Sequence, residues 1–175
     1  MLLAAATSGC ISSTEPVLRD ARAILGDRGQ MEVFSPLAAD GSRDVMRMAF
    51  QWRKDRYVVG AGRSSTTEFT VHAFEGRDLV VQWKTAELWS PKAKRGLRPV
   101  TYRLLRKIAE GAYLLFPLTE ADVDEGTRAR FCIKSPETTC RISTPEQLFI
   151  FARAAAEKED QNPGIVVIYS GTKTK

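Results

Sequence analysis

Residues 66–85 read TTEFTVHAFEGRDLVVQWKT, and their alternation decides the fold class. Phe69, Val71 and Ala73 fall on one side of an extended chain, and Glu68, Thr70, His72 and Phe74 on the other. A period of two is the signature of a strand with two unlike faces. Glu75-Gly76-Arg77-Asp78 supplies turn residues, and Leu79 to Thr85 returns as a second strand rich in Val and Trp, so the stretch predicts a β-hairpin. Working outward, 100–109 (VTYRLLRKIA), a turn at Glu110-Gly111 and 112–118 (AYLLFPL) predict a second hairpin. Upstream, Met46, Met48, Phe50 and Trp52 alternate with Val45, Arg47, Ala49 and Gln51, and the turn Arg53-Lys54-Asp55 leads into RYVVGAG. Met31 to Phe34 predicts a short strand, Arg141-Ile142-Ser143 a short extended piece, and the β-branched run 164–172 (GIVVIYSGT) a buried terminal strand.

Helical signals lie at three places. Thr14-Glu15-Pro16 offers an N-cap and a first-turn proline, and Val17, Leu18, Ala21, Ile24 and Leu25 follow at helical spacing before Gly26 and Gly29. TEADVDEGTRARF, residues 119–131, opens with a threonine cap and acidic residues that the helix dipole favours. STPEQLFIFARAAAEKED, residues 143–160, is the strongest: a Ser or Thr cap, Pro145 in the first turn, an apolar stripe through Leu148, Phe149, Phe151, Ala152 and Ala155, and Asn162-Pro163-Gly164 to stop it. Together these predict an α+β domain, an antiparallel meander of about six or seven strands with two or three helices packed on one face.

A chain of 175 residues suits one domain with a sizeable core. No apolar window approaches the roughly 18 residues that span a bilayer as a helix. The net charge of +5 sits on 26 basic and 21 acidic residues, which permits anionic partners without demanding them. The basic residues gather: Lys92, Lys94, Arg95 and Arg98 lie between the two hairpins beside Trp83 and Trp89, and Arg103 follows on the next strand. Basic side chains near aromatic rings can hold phosphates or stack on bases and sugars, so these five form a candidate patch for an anionic partner.

Catalytic constellations are weak. His72 is the single histidine, it falls in a strand, and no GxSxG accompanies it. Gly60-Ala61-Gly62-Arg63-Ser64-Ser65 resembles a phosphate loop, yet a strand follows it where a helix N-terminus is needed, so it reads as a hairpin loop. Glu120, Asp122, Asp124 and Glu125 crowd on one short element, too close for a glycosidase pair and out of step with a calcium loop. No catalytic residue, metal or cofactor is expected.

Three cysteines remain, Cys10, Cys132 and Cys140. Cys132 and Cys140 bracket IKSPETT, a turn-rich stretch that lets the two thiols meet in a disulfide. Cys10 ends the run LLAAATSGC, with a short apolar core, then the small residues Thr7-Ser8-Gly9 before the cysteine. This resembles the lipobox of bacterial lipoproteins, in which that cysteine is acylated and becomes the mature N-terminus. The resemblance implies a signal and tether over residues 1–13, a folded domain over 14–175, lipid attachment at Cys10, and an envelope protein facing the periplasm. Ile11 in place of an acidic residue after the cysteine leans toward the outer membrane. The expected function is a non-catalytic binding or scaffolding domain that meets an anionic envelope component or an envelope protein. The competing readings are a cytosolic basic module that binds nucleic acid, and an enzyme whose site is not recognisable.

Overall fold

The structure is a computed structural model that describes residues 11–34, 41–60, 66–84, 100–135, 137–158 and 165–172. In chain order its elements are β1 (Ile11–Ser13), β2 (Arg28–Phe34), β3 (Val45–Arg53), β4 (Arg56–Gly60), β5 (Thr66–Ala73), β6 (Asp78–Lys84), β7 (Val100–Ala109), β8 (Ala112–Pro117), a 3₁₀ turn (Glu120–Asp122), α1 (Glu125–Phe131), β9 (Cys132–Ser135), β10 (Glu137–Arg141), α2 (Pro145–Glu157) and β11 (Ile165–Thr172).

The local alternation forms the predicted hairpins, but the sheet is not open. Strands β2 to β8 pair each with the next, and β11 pairs with both β8 and β2, so eight antiparallel strands close into a barrel. The expected α+β architecture, a sheet with helices on one face, is therefore corrected to a mainly β fold with two short helices. The reason is non-local. Val166 to Thr172 meets Phe34 to Arg28 across more than a hundred intervening residues, and that pairing carries no signal in either strand alone.

The two faces of each strand sort by solvent. Met31, Phe50, Tyr57, Val59, Phe69, Val71, Val81, Leu105, Tyr113, Val167 and Tyr169 fill the barrel interior, as eight strands leave room for little more than side chains. The outward face carries cross-strand ion pairs, Arg47 with Glu32 at 2.7 Å and Arg56 with Glu68 at 3.0 Å. Apolar-in and polar-out is the reverse of a barrel that spans a bilayer. Among the described residues no helix is long and apolar enough to cross a membrane.

A second core lies outside the barrel wall. Helix α2, capped by the Thr144 side chain and started by Pro145, buries Leu148, Phe151, Ala152 and Ala155. They join one apolar cluster with Val80, Tyr102, Leu104 and Phe116, whose side chains point outward from β6, β7 and β8. Behind α2, Arg106 makes a bidentate pair with Asp78 at 2.9 and 2.8 Å and donates to the Ala156 carbonyl at 3.1 Å.

The N-terminal expectations change most. Residues 14–27 form no helix. They run as an irregular strap over the outer wall, because side chains of the barrel satisfy the strap's backbone. Gln82 Oε1 accepts from the Leu18 N–H at 3.0 Å, and Gln82 Nε2 donates to the Leu18 carbonyl at 3.3 Å. Tyr102 Oη accepts from the Val17 N–H at 3.3 Å, and Tyr57 Oη accepts from the Leu25 N–H at 2.7 Å. Leu25, 7% exposed, plugs the end of the barrel from which β2 starts. Residues 11–13, expected to be tether, are β1, wedged between β7 and β10, with Ile11 fully buried. The terminal strand β11 is half-buried: Val167 and Tyr169 point in, and Ile168 points out at 38% exposure.

Candidate functional site

Most residues with chemical potential turn out to be structural. Thr70 Oγ1 accepts from Gln82 Nε2 at 3.1 Å and shares a hydrogen bond of 2.8 Å with His72 Nε2. Burial pushes the His72 pKa below its ordinary value, against a backbone hydrogen bond at Arg19 and the charge of Asp20. The Asp122 carboxylate accepts from the Thr119 N–H and hydroxyl, and Asp124 caps α1 by accepting from the Thr127 N–H and hydroxyl. Two of the four acidic residues thus hold helix starts, while Glu120 Oε2 is buried without a hydrogen-bond partner among the described residues. Cys132 and Cys140 are bonded and stand opposite each other across the β9–β10 hairpin. Cys10, Lys92, Lys94, Arg95 and Arg98 lie outside the described residues, as does most of the stretch 60–65.

Arg103 is the one member of the basic patch that the structure places. On β7, Val100, Tyr102 and Leu104 belong to the outer core and Leu105 to the interior, so Arg103 stands on the inward face. Its register partners are Val81 on β6 and Pro117 on β8. It is half-buried, and among the described residues no ion pair engages it. No carboxylate stands on the inward face of the eight strands among those residues.

Beside Arg103 runs a row that spans seven strands. Trp52 pairs in register with Tyr57, Tyr57 with Phe69, Phe69 with Trp83, Trp83 with Thr101, Thr101 with Ser12, and Ser12 with Arg141. Strands in a small barrel tilt, so such a row climbs the wall. It starts beside the tight turn Lys54-Asp55 and runs toward the end of the barrel where β6 ends and β7 begins. The four aromatic rings touch in sequence, with centroids 4.8, 5.1 and 5.1 Å apart, and Trp83 lies flat on Phe69 at 10°. Tyr57 and Phe69 are buried, Trp83, Thr101 and Ser12 half-buried, and Arg141 exposed. The register row therefore passes from an aromatic ladder on the barrel's inward face, through Thr101, to Ser12 and Arg141 on β1 and β10, outside the eight barrel strands, with Arg103 two residues deeper than Thr101.

The chain matches no family model, no curated protein and no solved structure. The site must speak through its chemistry. A groove of about 520 Å³ also lies on the outer wall, between the strap at Arg19 and Asp20 and the strands bearing Arg56 and Glu68. Its charges are mixed, and Arg56 is already paired with Asp55 and Glu68, so it selects no class of ligand. The row and its neighbour Arg103 differ in kind, joining apolar rings, two hydroxyls and two arginines on one face of the sheet among the described residues. Sequence reading placed Phe69 on an inward-capable face, but missed the row because register between distant strands is invisible in the chain. The one available signal is that Trp52, Phe69 and Trp83 each sit on the apolar phase of their strand.

Proposed function

We propose that this protein is a lipid-anchored component of the bacterial envelope, held through Cys10 and facing the periplasm, whose barrel is a non-catalytic binding or scaffolding module. The observation that carries the reading is the Cys132–Cys140 bond. Such bonds persist in oxidising compartments, and this one pairs two of the three cysteines and leaves Cys10 for acylation. A single acyl chain binds membranes only marginally, whereas two or three hold firmly. The only histidine and two of the four clustered acidic residues, Asp122 and Asp124, serve hydrogen bonds within the fold, which favours binding over catalysis.

The anchor in this reading has no slack. A peptide bond keeps Cys10 about 3.8 Å from the Ile11 Cα. Ile11 is fully buried beside Cys140 and donates its N–H to the Leu118 carbonyl at 3.1 Å. The barrel then rides directly on the membrane rather than on a flexible leash. The test is intact-mass analysis of membrane-fraction protein, with and without reductant. Loss of residues 1–9, a lipid adduct on Cys10 and a two-dalton shift on reduction are expected. An unmodified, reduced chain in the soluble fraction would sink the reading and leave the cytosolic nucleic-acid module in its place.

A further inference from the structure

We infer that the outer face of β2, β3 and β11 is a self-association surface, on which a second copy of this chain docks about a two-fold axis running between β2 and β3. The inference goes beyond the binding or scaffolding reading and is independent of the anchor. Three observations converge on a second copy as the occupant.

The first is a bare apolar face. Among the described residues the barrel is covered on one side: α2 packs on β7, and the strap hydrogen-bonds to β4, β6 and β7. On the opposite side the outward phase of β3 is exposed along its whole length, from Val45 to Arg53. Val45 stands in register with Phe34 on β2, and Phe34 with Val166 on β11. Ile168 is the next outward residue along β11. Val45 and Ile168 are 43% and 38% exposed, Phe34 and Val166 are half-buried, and none of the four joins either apolar core. Apolar side chains adjacent on three strands mark an interaction surface, whereas scattered ones need no explanation.

The second is charge. The chain carries +5, so two copies repel over most of their surface. The centre of this face is balanced: Arg47 and Glu32 stand in register, with Nε and Oε1 2.7 Å apart. A two-fold axis along the strands between β2 and β3 lays each outward residue of β2 over its own register partner in the other copy. Glu32 then meets Arg47, Phe34 meets Val45, Gln30 meets Ala49 and Arg28 meets Gln51. No like charges oppose, and every contact is made twice, as a closed two-fold interface requires. An anionic lipid surface or a nucleic acid finds the central cation already paired and gains little from it.

The third is size. The 7 residues of β2 at about 3.4 Å each, and three strands at about 4.8 Å, give a face of roughly 24 by 14 Å. Two sheets pack face to face about 10 Å apart, near enough for the side chains of Arg47 and Glu32 to reach across. The face is smaller than the roughly 800 Å² per partner of a standard interface, so the dimer is weak, with a dissociation constant on the order of 10–100 μM. Chains confined to one membrane meet at a higher effective concentration, which favours such a contact.

The test is sedimentation equilibrium of the full chain carrying Cys10→Ser, which removes the acylation site, from tenfold below that range to tenfold above it. The parent is expected to pass from monomer to dimer. Arg47→Glu and Glu32→Arg should each weaken self-association at least tenfold, since like charges then meet across the axis. Mixed in equal amounts, these two variants should form a dimer at least as tight as the parent's, because one copy then brings the carboxylates and the other the guanidiniums. Ile168→Asp should weaken association at least tenfold, and Ile150→Asp, on the exposed side of α2, should change it less than twofold. Each variant is first checked for an unchanged thermal transition; the Arg47 side chain is 73% exposed, so its replacement leaves the fold intact. A parent that stays monomeric throughout, single charge variants that dimerise like the parent, a mixture that forms no dimer, or a dimer lost in Ile150→Asp would each overturn the inference. A lipid adduct on Cys10 with a monomeric parent refutes this interface alone; a dimer without an adduct refutes the anchor alone.

Discussion

Removing the Asp78 carboxylate should cost this fold more than any other single polar change on its outer wall. Asp78 and Arg106 face each other in register on β6 and β7, with side chains 9% and 8% exposed and two hydrogen bonds of 2.9 and 2.8 Å. The same guanidinium donates to the Ala156 carbonyl near the end of α2, at 3.1 Å. Breaking a buried pair from one side strands a charge, which costs about 3–5 kcal/mol. Replacing both partners by apolar residues of similar volume removes the stranded charge, and is often neutral or stabilising by about 1–4 kcal/mol. Against a total stability of roughly 5–15 kcal/mol, the single change is a large fraction. Asp78→Leu is therefore expected to lower stability by about 3–5 kcal/mol, and Arg106→Met by a similar amount because it also frees the Ala156 carbonyl. The double variant should recover most of the loss. At this chain length the singles correspond to a fall in Tm of roughly 6–20 °C. Urea titration followed by tryptophan fluorescence and far-ultraviolet circular dichroism measures all four members of the cycle. If each single change costs less than about 1 kcal/mol, or the double variant loses the sum of the two, the buried pair is not what ties α2 to the wall.

Two further outcomes follow from the outer shell. Replacing Cys132 and Cys140 together by serine opens a short loop and should cost about 2–3 kcal/mol in the chain-entropy account. The loss should appear first as faster amide exchange in β1, whose partner β10 is stapled by that bond, while exchange in the barrel strands β4 to β6 stays slow; equal acceleration everywhere contradicts this. His72 is held neutral by burial, with its pKa below the ordinary value of about 6.5. The unfolded chain then takes up a proton before the folded one, so stability should decline as pH falls below about 6.5, and His72→Gln should flatten that slope in urea titrations between about pH 5 and 8. An unchanged slope in the variant would mean the dependence belongs to other groups.

Much of the secondary structure was legible because it is local. The alternation in VMRMAFQWR, TTEFTVHA and VTYRLLRKIA, and the cap, proline and apolar stripe of PEQLFIFARAAAE, each lie within one element. The strap shows the limit of the same reasoning. Val17, Leu18, Ala21, Ile24 and Leu25 have helical spacing, yet Gln82, Tyr102 and Tyr57, all more than thirty residues away, satisfy three of the segment's N–H groups and hold it in an irregular course. Propensity is worth a few tenths of a kcal/mol per residue, and a set of buried hydrogen bonds outweighs it.

The sequence by itself determined which residues alternate, where the chain turns, and that Cys132 and Cys140 are near enough to bond. It also limited the chemistry, since one histidine and an acidic run at helix starts offer little to a catalyst. Only the tertiary structure decided that the sheet closes, that Ile11 is a buried strand residue, and that Arg103 faces inward between Val81 and Pro117. Alternation tells which side chains share a face, but not which face is inside. That choice is made when β11 zips between β2 and β8, since a closed wall must put one phase of every strand in the core and the other in water. The register set by that closure is also what lines up Trp52, Tyr57, Phe69, Trp83, Thr101, Ser12 and Arg141, residues from seven strands that meet nowhere in the chain.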